Sequence, residues 1–194
     1  AVYDRLAGTR GRHYHCAADF LMLTPHIATT DLQGGMCYVD AKTDDARLVL
    51  RVLQEARSLG AVAINYLAAK KLQREGDQPQ GAVSGVLLQD AVAGQDVTVR
   101  AKIVINATGA WADVLRQQQG EKARLRPLRG SHLIIPAWRL PVAQAVSLMH
   151  PADGRPVFVF PWEGATLVGT TDVDHGHGMQ HEAAITPAEV AYLM

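Results

Sequence analysis

The clearest separation of apolar from polar positions lies between residues 43 and 60. Ala46, Val49, Leu50, Leu53 and Ala56 recur at helical spacing, while Arg47, Arg51, Gln54, Glu55 and Arg57 fall largely elsewhere on the wheel. The spacing predicts a helix from Thr43 to Leu59, with Thr43 as its cap, Asp44 and Asp45 in the positive first turn, and Gly60 at the left-handed position after its end. The period then shortens to two. Strands are predicted at Val62 to Leu67, Ala82 to Gln89 and Val97 to Ile105, separated by turn-rich stretches at 75–79 and 92–96, a meander by connection length. The third strand changes character along its length. Val97 to Lys102 alternates, and then Ile103, Val104 and Ile105 form an unbroken β-branched run, as in a buried strand covered on both faces. It ends in Asn106-Ala107-Thr108-Gly109, where a glycine lets the backbone pass close to a bound group; read locally, an ordinary turn explains it too. Further short strands are predicted at Ser131 to Ile135, Ala145 to Met149, Val157 to Phe160 and Thr166 to Val168. A last helix opens at Thr186, with Pro187 in its first turn and Glu189 at the third helical position.

Composition narrows the possibilities. The chain has 194 residues, 48% of them hydrophobic, enough for one domain or a small two-part unit with a real core. Nineteen basic residues balance nineteen acidic ones without a basic stripe, which argues against nucleic acid and against electrostatic attraction to an anionic membrane. Cys16 and Cys37 make no disulfide framework, so a reducing, cytoplasmic setting fits. No apolar run approaches the roughly 18 residues of a spanning helix, and no signal-peptide layout opens the chain. A start at Ala1 without Met suggests a segment cut from something longer. Asp172, Asp174, His175, His177 and His181, and separately His13, His15 and Cys16, have the chemistry of metal ligands but not their spacing. Gly176 and Gly178 disfavour a helix that would align His177 with His181, and no metal site is expected. The glycosylation triplet Asn106-Ala107-Thr108 is discounted for its place at a strand end in a chain without secretion signals.

Several blocks together resemble one family. Tyr38-Val39-Asp40-Ala41 leads through Asp44-Asp45-Ala46-Arg47-Leu48 into the first helix; Ile105-Asn106-Ala107-Thr108-Gly109-Ala110-Trp111-Ala112-Asp113 follows. Then come Arg129-Gly130-Ser131-His132, Phe160-Pro161-Trp162-Glu163-Gly164 and Gly169-Thr170-Thr171-Asp172. In order and spacing they are similar to the FAD-dependent glycerol-3-phosphate dehydrogenases, nearly end to end. Ala110 replaces the proline more usual in that family. The resemblance implies an α/β architecture: the middle of a Rossmann-like FAD-binding domain at about 41–118, and a mixed-sheet, α+β substrate-binding cap from pieces at 1–40 and 119–194. It implies oxidation of sn-glycerol 3-phosphate to dihydroxyacetone phosphate by hydride transfer from C2 to flavin N5, with quinone or oxygen as electron acceptor. A cytoplasmic location follows, with peripheral association of the whole protein on the inner face of the cytoplasmic membrane left open.

The resemblance also distributes roles. Ala107, Thr108, Gly109 and Trp111 are expected to contact the cofactor, and Arg129, Gly130, Ser131, Thr170, Thr171 and Asp172 the substrate. His132 is the expected general base, since imidazole titrates near working pH and alcohol oxidation must release the hydroxyl proton. On local chemistry alone His132 reads equally as a structural hydrogen bonder, Asp172 as a turn cap, and Trp111 and Trp162 as core. Arg47 and Asp40 recur in the family pattern, and helix charge or a strand-end turn explains them as well. The glycine-rich G-x-G-x-x-G turn that receives a dinucleotide pyrophosphate does not occur in this chain, so the isolated chain is expected to hold no FAD. Two alternatives remain open at this point: a related FAD-dependent amine or amino-acid oxidase, and a folded binding module without cofactor.

Overall fold

The computed structural model describes residues 5–6, 8, 11–77, 81–176, 178–179 and 182–194. They form two compact units, one from the described residues within 1–42, 128–176 and 182–194, the other from those within 43–127 and 177–181.

In the first unit, β1 (His13–Cys16) pairs antiparallel with β2 (Gly34–Cys37). Helix α1 (Ala17–Leu23) follows β1 directly and lays Phe20 against Gly35, where any side chain would collide with the ring. The main sheet has the order β7-β10-β9-β8. Its strands are β7 (His132–Pro136), β8 (Val146–Met149), β9 (Pro156–Trp162) and β10 (Ala165–Gly169), each within two residues of the segments expected at both ends. Residues paired across antiparallel strands share a face. Leu133, Val168, Val159 and Val146 therefore form one row, and His132, Gly169, Phe158 and Ser147 form a row on the opposite face. The first face holds the core: Val157, Val168 and Leu193, packed with Leu133, Ile135, Leu140, Val159 and Tyr192. Leu193 and Tyr192 come from α4 (Pro187–Leu193), whose start is the capping box predicted from Thr186 and Glu189. Among the described residues every strand pairing is antiparallel, so within the α/β class the sheet of this unit is antiparallel rather than mixed.

The second unit holds α2 (Asp45–Ser58), β3 (Leu67–Arg74), β4 (Val83–Asp90), β5 (Asp96–Arg100) and α3 (Ala112–Gln117). The strands form an antiparallel meander in sequence order. Four expectations are corrected here. The cap of α2 is Asp44, whose carboxylate accepts from the Arg47 amide at 3.0 Å, and not Thr43. The apolar stripe of α2 is not covered: no residue of the helix is buried, and Leu50 is 58% exposed. The strand expected at 62–67 begins only at Leu67, because Tyr66 takes a positive φ of 57° that breaks the extended run. The buried strand expected through Ile105 ends at Arg100. Ile103 and Ile105 are 78% and 82% exposed, since none of the described strands pairs with them to make a ladder or cover a face. Of the stretch expected as a turn at 92–96, the turn itself spans 91–93, with the Asp90 carboxylate accepting from the amides of Val92 and Ala93, and Asp96 already belongs to β5. Within the stretch at 75–79, Glu75–Asp77 is a short 3-10 turn, and Gln78 and Pro79 lie outside the described residues. No described helix is long and apolar enough to cross a membrane.

Candidate functional site

Two blocks some forty residues apart become neighbours in the first unit. Strand β6 (Leu128–Arg129) continues after a break at Gly130 and Ser131 into β7, and β10 continues after a break at 170–172 into β11 (Val173–Asp174). The two interrupted strands run antiparallel, with Arg129 opposite Val173 and His132 opposite Gly169. In the gap, the Thr171 amide donates to the Ser131 carbonyl at 3.2 Å and the Ser131 amide to Thr171 Oγ1 at 2.9 Å. Thr170 Oγ1 donates to the same Ser131 carbonyl at 3.3 Å. Ser131 and Thr171 are buried, whereas Gly130, His132 and Thr170 are exposed, the alternation expected of extended chain.

The buried side of this pair closes on one carboxylate. Glu189 of α4 is 4% exposed and accepts from Arg129 Nη2 at 2.7 Å, Arg129 Nε at 3.2 Å, Ser131 Oγ at 2.8 Å and Thr171 Oγ1 at 3.0 Å. The Thr186 amide and hydroxyl add bonds of 2.9 and 2.8 Å. The Arg129 guanidinium, and after it the Thr186 amide and the hydroxyls, hold the Glu189 carboxyl far below the usual carboxylate range, against the opposing cost of burial. Sequence reasoning placed Glu189 only in a capping box; the residue's other bonds depend on β6, β7 and β11 arriving beside α4, which no local pattern reports.

On the exposed side, His132 lies over Gly169: a Cβ added there would meet Cγ of the imidazole at 2.8 Å and Nε2 at 3.0 Å. A Cβ on Gly130 would stand 2.6 Å from Thr170 Oγ1, so both glycines permit close approach of the opposing side chain. Among the described residues the His132 ring has no hydrogen-bond partner, so the structural-bonder reading gains no support. Asp172 pairs with Arg155, which reaches its carboxylate at 2.8 Å and its carbonyl at 2.9 Å; Arg155 was not among the residues singled out from sequence.

In the second unit, the Ala107-Thr108-Gly109 turn is braced by Asn106. Its Oδ1 accepts from the Thr108 amide at 3.3 Å and the Thr108 hydroxyl at 2.8 Å, and its Nδ2 donates to the Ala112 carbonyl at 2.9 Å. Gly109 has φ +57°, and the space where its Cβ would stand is open. Trp111 is 55% exposed, and its indole N–H donates to the Met179 carbonyl at 3.1 Å. A turn open at Gly109 beside an exposed aromatic suits the edge of a planar ring system, so these residues fit part of a flavin. Trp162 belongs to the first unit, where Lys42 Nζ sits 4.7 Å from its ring and Phe160 meets it edge-on. Arg47 pairs with Asp44 at 3.2 Å, and Asp40 accepts from the Ala41 amide. Of the histidine-rich segment, His177 and His181 lie outside the described residues. Among the described residues no three His, Cys, Asp or Glu side chains gather as a metal site would require.

A family model described as FAD dependent oxidoreductase matches residues 2–194, and the chain belongs to that family. Within it, the chain is 38% identical over 190 residues to the aerobic glycerol-3-phosphate dehydrogenase of Bacillus subtilis (strain 168), covering 95% of this chain and 33% of that protein. It is 35% identical to the alpha-glycerophosphate oxidase of Enterococcus casseliflavus, covering 100% of this chain and 32% of that one. The chain thus spans about a third of the length of the curated relatives it matches. The solved glycerol-3-phosphate dehydrogenase from Bacillus halodurans, complexed with FAD, superposes with a TM-score of 0.83 at 34% identity, over 93% of this chain and 36% of that one. Glycine oxidase from Geobacillus kaustophilus, 21% identical with a TM-score of 0.67, shares the fold.

Proposed function

We propose that the whole protein oxidises sn-glycerol 3-phosphate to dihydroxyacetone phosphate and passes the electrons to a quinone or oxygen, with His132 as general base. The relatives' names support the substrate. The observation that carries the role of His132 is its seat on Gly169, with an exposed ring whose nitrogens have no partner among the described residues. When bound, FAD supplies the acceptor for the hydride leaving C2. His132 takes the hydroxyl proton on a ring nitrogen as the C2–H bond breaks. On the sheet face around it, Phe158 in its own row and Ile134, Leu167 and Phe160 in the next would border the reacting carbon with apolar side chains. Gly130, Thr170 and Asp172 meet the substrate in this reading, and Arg129, Ser131 and Thr171 hold that edge in place. Ala107, Thr108, Gly109 and Trp111 border the flavin. The unit containing residues 43–127 is assigned to the FAD-binding domain and the other unit to the cap. The amine-oxidase alternative rests only on a likeness of fold.

The test is a His132→Asn variant of the whole protein. FAD content should be unchanged, while anaerobic flavin reduction by glycerol 3-phosphate slows at least about tenfold, within the 10²–10⁴-fold typical of a lost base, and loses its pH dependence in the neutral range. A wild-type rate with a wild-type pH profile would remove His132 from the chemistry.

A further inference from the structure

We infer that Glu189 is a positioning residue for this reaction: from α4 its carboxylate locks Arg129, Ser131 and Thr171 on the buried side of the strand pair and so sets His132 and Thr170 on the exposed side. The inference rests on the reading of His132 as the base. A capping box asks one thing of its glutamate, a bond to the N-cap amide, which the 2.9 Å contact with Thr186 provides. Glu189 makes four more bonds, to Arg129, Ser131 and Thr171, than any cap needs. A carboxylate offers about four lone-pair sites, and here each oxygen faces three donors, so its capacity is filled.

Those partners are not scattered. Ser131 is adjacent in sequence to His132, and Thr171 to Thr170; Arg129 opens the block. Because successive side chains in extended backbone point to opposite faces, holding Ser131 inward directs His132 outward, and holding Thr171 inward does the same for Thr170. The crosslink between the Ser131 amide and Thr171 Oγ1 then keeps the two segments in register, so the His132 ring stays over Gly169. Stability alone would not require this arrangement, since a buried ion pair is often matched in stability by apolar residues of similar volume.

The test uses Glu189→Gln in the whole protein, with glycerol 3-phosphate as substrate. This substitution keeps the shape but removes the charge and turns one acceptor into a donor facing other donors. The expected result is unchanged FAD content and a flavin-reduction rate lowered about tenfold to a hundredfold, as for a misplaced catalytic group, with the neutral-pH dependence retained because His132 is still present. Ser131→Ala, which deletes one bond and keeps the fold if Glu189→Gln does not, should lower the same rate several-fold. Val146→Ala, in β8 and away from α4 and its network, should lower the melting temperature and leave the rate unchanged. If Ser131→Ala, and Glu189→Gln where it folds, reduce melting temperature but not rate while His132→Asn is slow, the positioning role is overturned and the base remains. If His132→Asn is itself fast, the reading of the site fails first.

Discussion

Asp113 and Glu189 use one device: a carboxylate collects donors from segments that would otherwise separate. Asp113 Oδ2 accepts from the Arg124 and Leu125 amides, both at 2.8 Å, and Oδ1 from Arg116. The Leu125 amide is the main reason the Asp113 carboxyl lies below its ordinary range, with Arg116 and the Arg124 amide adding to it, just as Arg129 is the main reason for Glu189. A carboxyl depressed in the folded state binds fewer protons there than in the unfolded chain. Its contribution is therefore present above the ordinary carboxylate pKa and is lost as pH falls through the folded value. Melting temperature should hold steady from neutral pH to about 5 and fall below about pH 4, and Asp113→Asn or Glu189→Gln should make that acid limb shallower. A melting temperature that rises on acidification through this window would contradict the assignment. Such side chains were partly legible: Glu189 appeared as a cap and Asp113 in a family block, but Arg129, Ser131 and Thr171 on Glu189, and Arg124 and Leu125 on Asp113, lie beyond any local motif.

Among the elements, α4 was the most readable because its signals are local. Thr186 accepts from the Glu189 amide at 3.3 Å, and its own hydroxyl and amide bond the Glu189 carboxylate, so both ends of the motif lie within four residues. Thr186→Ala should cost about 1 kcal/mol, within the 0.5–2 kcal/mol usual for a lost N-cap, and Thr186→Ser should recover most of it; midpoint shifts in urea at constant slope would measure both. Strand β3 was the least readable. Its pairing with β4 shifts register between Ala69 and Lys71 and again between Gln73 and Arg74, so the period of two that marks a strand is broken twice along eight residues. The pairings of β10 with β7 and with β9 run without such shifts, and those strands were placed within two residues.

For the molecule as a whole, the sequence lacks a glycine-rich pyrophosphate turn, and among the described residues the proposed flavin contacts are confined to the Asn106-braced turn and Trp111. The 194-residue chain purified alone should therefore show no stoichiometric flavin absorbance in the visible range and no oxidation of glycerol 3-phosphate; a yellow, equimolar complex would refute this. The exposed stripe of α2 and the exposed Ile103 and Ile105 carry the same message in another form. Their apolar periodicity specifies burial, and the described residues do not supply the surfaces that would bury them, in a chain that spans about a third of its relatives' length.

From the sequence by itself came the capping of α4, the short apolar strands of the main sheet, the meander, and the family-bearing blocks, all of which depend on residues a few positions apart. Only the tertiary structure decided that Arg129-Gly130-Ser131-His132 and Gly169-Thr170-Thr171-Asp172 lie side by side, that Asp172 meets Arg155, and that Glu189 closes the group from a third segment. The physical reason is that local pattern encodes which face of an element is apolar, but not its partner. Here the partner was chosen by cross-strand register and by the need of a buried carboxylate to gather enough donors to remain ionised.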